Sequence, residues 1–274
     1  MSDVISSAAN PLVKRVRALA SRKHRQRTGS FVVEGIQPVW QAVEAGAEIE
    51  VLLVAPDLLA ASSAMRMVTA QEAAGVAVAR LTDELFDRIS GRRRSSGLAA
   101  IVRERPATLE ELIVGADSLL VALHTLRNPG NLGTIVRTAV SAGAQAVVLL
   151  GDCADPYSPE SVRASMGAIF AVPIVAIADA NSFFDWTARH GIHIIGTSPT
   201  APHSHWAVGY PLPSALLLGN EQRGLPPDVL ARGDIRVRIP MVGTAESLNA
   251  AVAAAIMLYE MRRPTLARDP PTAG

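Results

Sequence analysis

Short strand-like segments recur along the second half of the chain, at 118–123, 146–150, 173–176, 193–195, 215–218 and 235–239, of which 215–218 is a continuous apolar run. Apolar runs without polar alternation mark strands covered on both faces of a parallel sheet. Helical stretches separate them near 132–142, 159–166, 181–190 and 226–231. The alternation predicts an α/β fold with a mostly parallel sheet and helices on both faces. Its last two strands share one plan. Gly219 ends the run 215–218, and Asn220 and Glu221 place polar groups just beyond it; Pro240 and Gly243 end the run 235–239, after which Ser247 stands as the N-cap of a helix over 248–262. Open α/β sheets bind ligands beyond the carboxyl ends of their strands, so these adjacent loops predict a small-molecule site. The alanine-rich start of the last helix, 249–257, predicts close packing, as a core helix or as a subunit interface.

The first hundred residues carry a different rhythm. Asn10-Pro11 reads as a cap and first residue of a helix, with Leu12, Val16 and Leu19 along one face. Strands are expected at 31–33, 49–54, 76–81 and 98–102, and helices at 38–45, within 58–74, and at 83–89 behind Thr82. This is a small αβ sandwich of ordinary domain size. Pro106 among charges marks a linker. The expected division is 1–104, a linker at 105–108, 109–263, and a mobile tail at 264–274.

Charge adds a partner. The 274 residues have a net charge of only +1, yet residues 1–30 hold seven Lys/Arg against one acid. Such an arm points to a polyanion, with Lys14, Arg22, Lys23, Arg25 and Arg27 as contacts and Arg92, Arg93 and Arg94 as a second basic stretch. A solvated basic helix without a partner is the plainer reading. Aromatics make up 4% of the chain, too few for a base-stacking platform. At 49% hydrophobic and 19% charged, the chain can build a substantial core. The single cysteine, Cys153, excludes an internal disulfide and a cysteine metal site. Neither a signal segment nor a membrane-spanning run is evident, so a soluble, cytoplasmic protein without a membrane partner is expected.

Polar chemistry gathers at strand ends. In Arg127-Asn-Pro-Gly-Asn-Leu-Gly-Thr-Ile-Val-Arg-Thr138, Asn131 is placed at a helix N-terminus, where a capping role would explain it. Arg137 is expected to lie buried among Ile135, Val136 and Ala139, which would require an acid or a phosphate beside it. The glycine spacing is not a dinucleotide fingerprint, no Gly-Lys-Ser/Thr phosphate loop occurs, and no cluster has metal-ligand spacing. His203 and His205 are expected to face solvent.

Three stretches, in order, resemble motifs 1, 2 and 3 of the SpoU branch of the SPOUT RNA methyltransferases: Asn128–Ala139, Leu218-Gly-Asn-Glu-Gln-Arg-Gly-Leu225, and Ile239-Pro-Met-Val-Gly-Thr-Ala-Glu-Ser-Leu-Asn-Ala-Ala-Val252. Residues 157–170 are similar to the family's segment between motifs 1 and 2. Phe31-Val-Val-Glu-Gly35 and its surroundings resemble the ribosomal-protein-like substrate-binding domain of rRNA-directed members. The resemblance implies a deep trefoil knot, a homodimer and S-adenosylmethionine as cofactor. It also implies methyl transfer to a ribose 2′-hydroxyl, most directly in 23S rRNA, with tRNA and non-catalytic RNA binding as alternatives. It places the cofactor at Thr197, Gly219, Asn220, Gly224, Ile239, Met241 and Leu248, and the chemistry at Asn131, Arg137, Glu221, Ser247 and Asn249, with no metal. The chain departs from the family pattern at Asn128, where an acid is common, and at Gln222-Arg223, where a small residue is common. A guanidinium has no lone pair for a proton, so Arg137 is read as a phosphate clamp and stabiliser of developing charge; a phosphate oxygen or Glu221 is left as the proton acceptor.

Overall fold

The computed structural model describes residues 4–59, 63–90, 95–244 and 246–266. The chain forms two compact units, Met1–Arg105 with Asp155–Ala171, and Pro106–Ala154 with Val172–Gly274.

The first unit begins with helices α1 (Pro11–Ala18) and α2 (Arg22–Thr28), followed by β1 (Ser30–Glu34), α3 (Ile36–Glu44) and β2 (Ile49–Val54). It continues with α4 (Pro56–Leu59), α5 (Ala64–Ala73), β3 (Ala77–Arg80), α6 (Asp83–Ser90) and β4 (Leu98–Arg103). Its sheet runs β1-β4-β2-β3, with β4 antiparallel to both neighbours and β3 parallel to β2. Asn10 caps α1 by accepting from the Leu12 N–H at 2.8 Å, ahead of Pro11. The buried face of α1, Val13, Val16 and Leu19, joins Leu53, Phe86 and Ile101 in one core.

The basic arm is two helices, and one of its arginines is structural. Arg25, expected to meet RNA, is 2% exposed. It donates to the carbonyls of Leu19 (2.8 Å) and Ala20 (2.9 Å), just past the end of α1, and pairs with Asp155 at 2.6 Å. Carbonyls at the end of a helix lack intrahelical donors, and Arg25 supplies them. Lys14, Arg22, Lys23 and Arg27 are exposed. Arg92, Arg93 and Arg94 lie outside the described residues. Near the buried pair, burial and Asp155 push the Glu104 carboxyl above its ordinary range, against the pull of Arg25. Burial raises the Tyr157 hydroxyl to about 12.

In chain order the second unit contributes β5 (Leu119–His124), α7 (Pro129–Ser141) and β6 (Ala146–Leu150); α8 (Pro159–Ser165) belongs to the first unit. There follow β7 (Ile174–Ile177), α9 (Ala180–Arg189), β8 (His193–Thr197), β9 (His203–Ser204) and β10 (Ser214–Leu218), then α10 (Pro227–Ala231), β11 (Ile235–Arg238) and α11 (Ala250–Leu266). Seven strands form one sheet in the order β7-β6-β5-β10-β8-β11-β9, every pair parallel. β9 has no counterpart among the apolar runs, because it is two residues long. The central strands β5, β6 and β10 are buried almost throughout, as an unbroken apolar run requires. Because all strands point one way, the loops after β5, β10, β8 and β11 emerge side by side.

Several helix boundaries differ from the expected ones, three of them at the helices that flank the site. α7 begins at Pro129, with Asn128 as its cap, three residues earlier than read. α11 begins at Ala250, where the Asn249 side chain accepts from the Ala251 N–H at 2.8 Å, so Asn249 and not Ser247 caps it. Pro264 lies inside α11, which continues to Leu266; the remainder of the expected tail lies outside the described residues.

Candidate active site

The start of α7 organises the site. Asn128 accepts from the Asn131 N–H at 2.9 Å, and Pro129 takes the first helical position, where a missing N–H costs nothing. The capping role assigned to Asn131 is thus filled by Asn128, which frees the Asn131 side chain. Its Oδ1 accepts from Asn249 Nδ2 at 2.9 Å, and its Nδ2 donates to Glu221 Oε1 at 3.2 Å. Each amide orientation is dictated by the next partner. Asn249 Oδ1 is engaged by the Ala251 N–H, so its NH2 must face Asn131; Asn131 must then turn its own NH2 to the acceptor-only carboxylate. Asn249, Asn131 and Glu221, from three separate loops, form one directed row.

Glu221 closes the row against the backbone of α7's approach. It accepts from the Asn128 N–H at 2.9 Å and the Arg127 N–H at 3.1 Å. Burial alone would raise its carboxyl, but these N–H donors and Asn131 outweigh it and hold the carboxyl below the usual range. A carboxylate so engaged is a weak base.

The loop carrying Glu221 is a tight hairpin. Asn220 and Gly224 exchange backbone hydrogen bonds at 3.1 and 2.9 Å. The Asn220 side chain accepts from the N–H groups of Gln222 (3.0 Å) and Arg223 (3.2 Å) and donates to the Thr125 carbonyl at 2.9 Å. Asn220, expected at the cofactor, braces the loop with its side chain. At Gly219 a Cβ would stand 2.2 Å from the Gly224 carbonyl carbon, so only glycine permits the hairpin to close.

Of the remaining expected cofactor positions, Thr197 ends β8 half-buried, with its hydroxyl donating to the Leu217 carbonyl at 3.2 Å. Ile239 and Leu248 are half-buried, and their backbone groups form no hydrogen bond among the described residues. Half-buried peptide groups of that kind suit a ligand that brings its own donors and acceptors. Met241 is 37% and Val242 99% exposed, apolar groups beside those peptides. A cofactor with an apolar body and hydrogen-bonding edges fits this loop.

Two expected positions stand apart. Ser247 is exposed, and its hydroxyl makes no hydrogen bond among the described residues. Ile135, Val136 and Ala139 are buried as read, but Arg137 is exposed, on the stripe of α7 that carries Thr134 and Ser141. Helical periodicity turns it away from its apolar neighbours, and its guanidinium has no partner among the described residues. His205, expected in solvent, is 8% exposed and packs edge-on to Trp206 at 4.6 Å. Among the described residues no His/Cys/Asp/Glu group could hold a metal, and no helix is long and apolar enough to cross a membrane. The sequence reading missed the Arg127–Asp152 ion pair (2.5 Å) at the same rim. It also missed Asn128 as a cap, although Asn128-Pro129 repeats the signal of Asn10-Pro11.

The chain is similar to known proteins along most of its length. Residues 118–259 match the SpoU rRNA Methylase family, and residues 10–100 the MRM3-like substrate binding domain. The chain is 33% identical to the 23S rRNA (uridine(2479)-2′-O)-methyltransferase of Streptomyces viridochromogenes, over 89% of this chain and 86% of that protein. It is 30% identical to the 23S rRNA (guanosine(2553)-2′-O)-methyltransferase RlmP of Bacillus subtilis, over 94% and 98%. Among solved structures, the AdoMet-bound rRNA methyltransferase of Sinorhizobium meliloti superposes with a TM-score of 0.87 at 36% identity, covering 96% of this chain and 98% of that one. With the three motif loops meeting at one rim and family similarity along nearly the whole length, the chain belongs to the SpoU rRNA methylase family.

Proposed function

We propose that this protein is an S-adenosylmethionine-dependent RNA 2′-O-methyltransferase that modifies a ribose of 23S rRNA and works as a homodimer. The observation that carries the reading is the Asn249–Asn131–Glu221 row, which joins three motif loops at the carboxyl edge of the sheet. The relatives named for 23S rRNA 2′-O-methylation, and the AdoMet-bound neighbour, support the substrate and the cofactor.

In this reading Thr197, Gly219, Ile239, Met241 and Leu248 hold the cofactor, whose cationic sulfur supplies an already activated methyl group. The protein's task is then alignment and removal of one proton. Asn131 presents amide groups beside the reacting ribose, held in one orientation by Asn249 and Glu221. Ionised and occupied by its three donors, Glu221 positions rather than accepts the proton; a phosphate oxygen of the RNA is the better acceptor. Arg137, exposed and without a partner among the described residues, is available to grip a phosphate of RNA and stabilise charge developing on the ribose oxygen. Ser247 is a further polar contact from the same loop as Asn249.

The division into an RNA-binding part (1–104), a linker (105–108) and a catalytic part (109–263) belongs to the same reading. It is supported by the two family matches, with Asp155–Ala171 reassigned to the first unit. So do the knot and the dimer: α11 returns to pack on α7 and β10, and Val252 and Tyr259 on α11 remain 47% and 48% exposed for a second copy. Mapping 2′-O-methylation across 23S rRNA in a deletion strain, its parent and a complemented strain tests the function. One ribose should lose its methyl group on deletion and regain it on complementation; identical maps would overturn the reading.

A further inference from the structure

Beyond the carboxyl ends of β5 and β10 lies a cavity of about 450 Å³, lined by His124, Thr125, Arg127, Gln222, Arg223 and Pro226. Of the residues expected at the cofactor, Asn220 and Gly224 also line this cavity, whereas Thr197, Gly219, Ile239, Met241 and Leu248 do not, so it lies beside the cofactor loops rather than within them. We propose that this cavity is a subsite for the nucleotide next to the methylated ribose, with its phosphate held by Arg223 and Arg127 and its base edge read by Gln222. The proposal deepens the RNA methyltransferase reading and rests on it.

Three features select a nucleotide. The cavity has the size of a small-molecule site, and its charged lining is cationic. The Arg223 guanidinium is exposed and has no ion pair or hydrogen bond among the described residues, so it is available to an anion. Arg127 is paired with Asp152, but both side chains are more than half exposed, at 59% and 63%, and such a pair exchanges readily for a phosphate. The Gln222 amide is likewise exposed and uncommitted, with two donors and an acceptor for a base edge. Burial holds His124 below its ordinary pKa, against the pull of Asp228, so a neutral imidazole completes the wall.

The walls are also rigid. Asn220 ties the N–H groups of Gln222 and Arg223 and the carbonyl of Thr125 together, and Thr125 sits at φ 51°, a conformation non-glycine residues adopt only when held. Glu221, between Asn220 and Gln222, binds the Arg127 N–H and Asn131 on its other side. One hairpin tip therefore serves both places: Glu221 faces the polar row, and Gln222 and Arg223 face the cavity. A nucleotide in the cavity neighbours the one presented to Asn131.

The test uses the full-length protein, 23S rRNA from the deletion strain, and short RNAs spanning its methylated site. Methylation by the wild type checks the underlying function separately from the variants. Against that reference, Arg223→Ala should raise KM for RNA and flatten log K against log salt by about 0.7–0.9 units, the share of one phosphate. Gln222→Ala should cut kcat/KM by about 10-fold and reduce discrimination when the flanking base is exchanged, as loss of a base contact does. S-adenosylmethionine affinity by calorimetry should stay within about 2-fold for both. An unchanged salt slope together with unchanged base discrimination would overturn the proposal. So would a large loss of cofactor affinity, which would give the cavity to the cofactor. If the wild type methylates none of these RNAs, filter binding of the same RNAs across salt still reads the slope, and equal slopes for wild type and Arg223→Ala would reject the subsite.

Discussion

Glu221 and Arg137 reverse the roles that residue type alone would suggest. The carboxylate, a possible base from sequence, is locked among hydrogen-bond donors; the arginine, expected to be buried and paired, stands open. Because the folded Glu221 carboxyl lies below its ordinary 4.5, its contribution is complete above that value and is lost only as pH falls through the lower, folded one. The rate profile should therefore show no Glu221 limb near neutrality. Glu221→Gln should lower kcat by about 100-fold through misplacement of Asn131, with cofactor affinity little changed. A tenfold or larger loss of cofactor binding instead would place Glu221 in the cofactor site. For Arg137, the charge-conserving Lys variant should be nearly as slow as Ala in single turnovers, because an ammonium lacks the fork that grips a phosphate in two places. Substantial rescue by Lys would argue against the clamp.

The helices that carry these groups are held from both ends. Asn249 meets Asn131 where α11 and α7 begin. Thirteen residues on, Arg262, 8% exposed, donates to the carbonyls of Ala142 (3.0 Å), Gly143 (2.7 Å) and Asp117 (3.1 Å), past the end of α7 and before β5. Helix-end carbonyls need donors, and here a helix from the end of the chain supplies them. Arg262→Ala should cost about 1–3 kcal/mol, because it removes the donor of the buried Ala142 carbonyl and of the more exposed Gly143 and Asp117 carbonyls. That loss should appear as a lower denaturant midpoint. In the first unit the equivalent anchor is Arg25, and Asp155→Ala should cost about 3–5 kcal/mol by stranding its charge. Arg25→Ala would accordingly impair folding rather than test RNA contact. Lys14, Arg22, Lys23 and Arg27 are the right set for that purpose, and their joint replacement should flatten the salt dependence of RNA binding while sparing cofactor affinity.

For the whole molecule the proposed dimer makes a distinct claim. Arg137 takes no part in the hydrogen bonds of the row that Asn249 and Asn131 form within one chain, and its guanidinium has no partner among the described residues, so it has the freedom to serve a partner's site. Mixing Arg137→Ala with Asn249→Ala protein, each inactive, should then restore part of the wild-type rate as heterodimers form. A fully active monomer by sedimentation at assay concentration would refute the dimer.

Local pattern was enough for every strand but β9, for the three motif loops and for the cap at Asn10, because apolar runs, glycines and Asn-Pro pairs act over a few residues. The α/β character and the polar groups Asn131 and Glu221 beyond the strand ends were legible on that basis, while the site roles of Asn131, Glu221 and Asn249 came from the resemblance to the SpoU motifs. Local pattern could not say which loops meet. That required β10 to insert beside β5, a pairing between residues about 95 positions apart, which brings Glu221 to the Asn128 N–H and leaves Asn128 as the cap. Nor could it separate Arg25 from the exposed cations around it, since its burial depends on Asp155, 130 residues away. Exposure of Arg137 follows from helical phase once the start of α7 is known. The rest was decided by tertiary structure, because burial and hydrogen-bond partnership are properties of the neighbours that folding supplies and not of the residue or its local sequence.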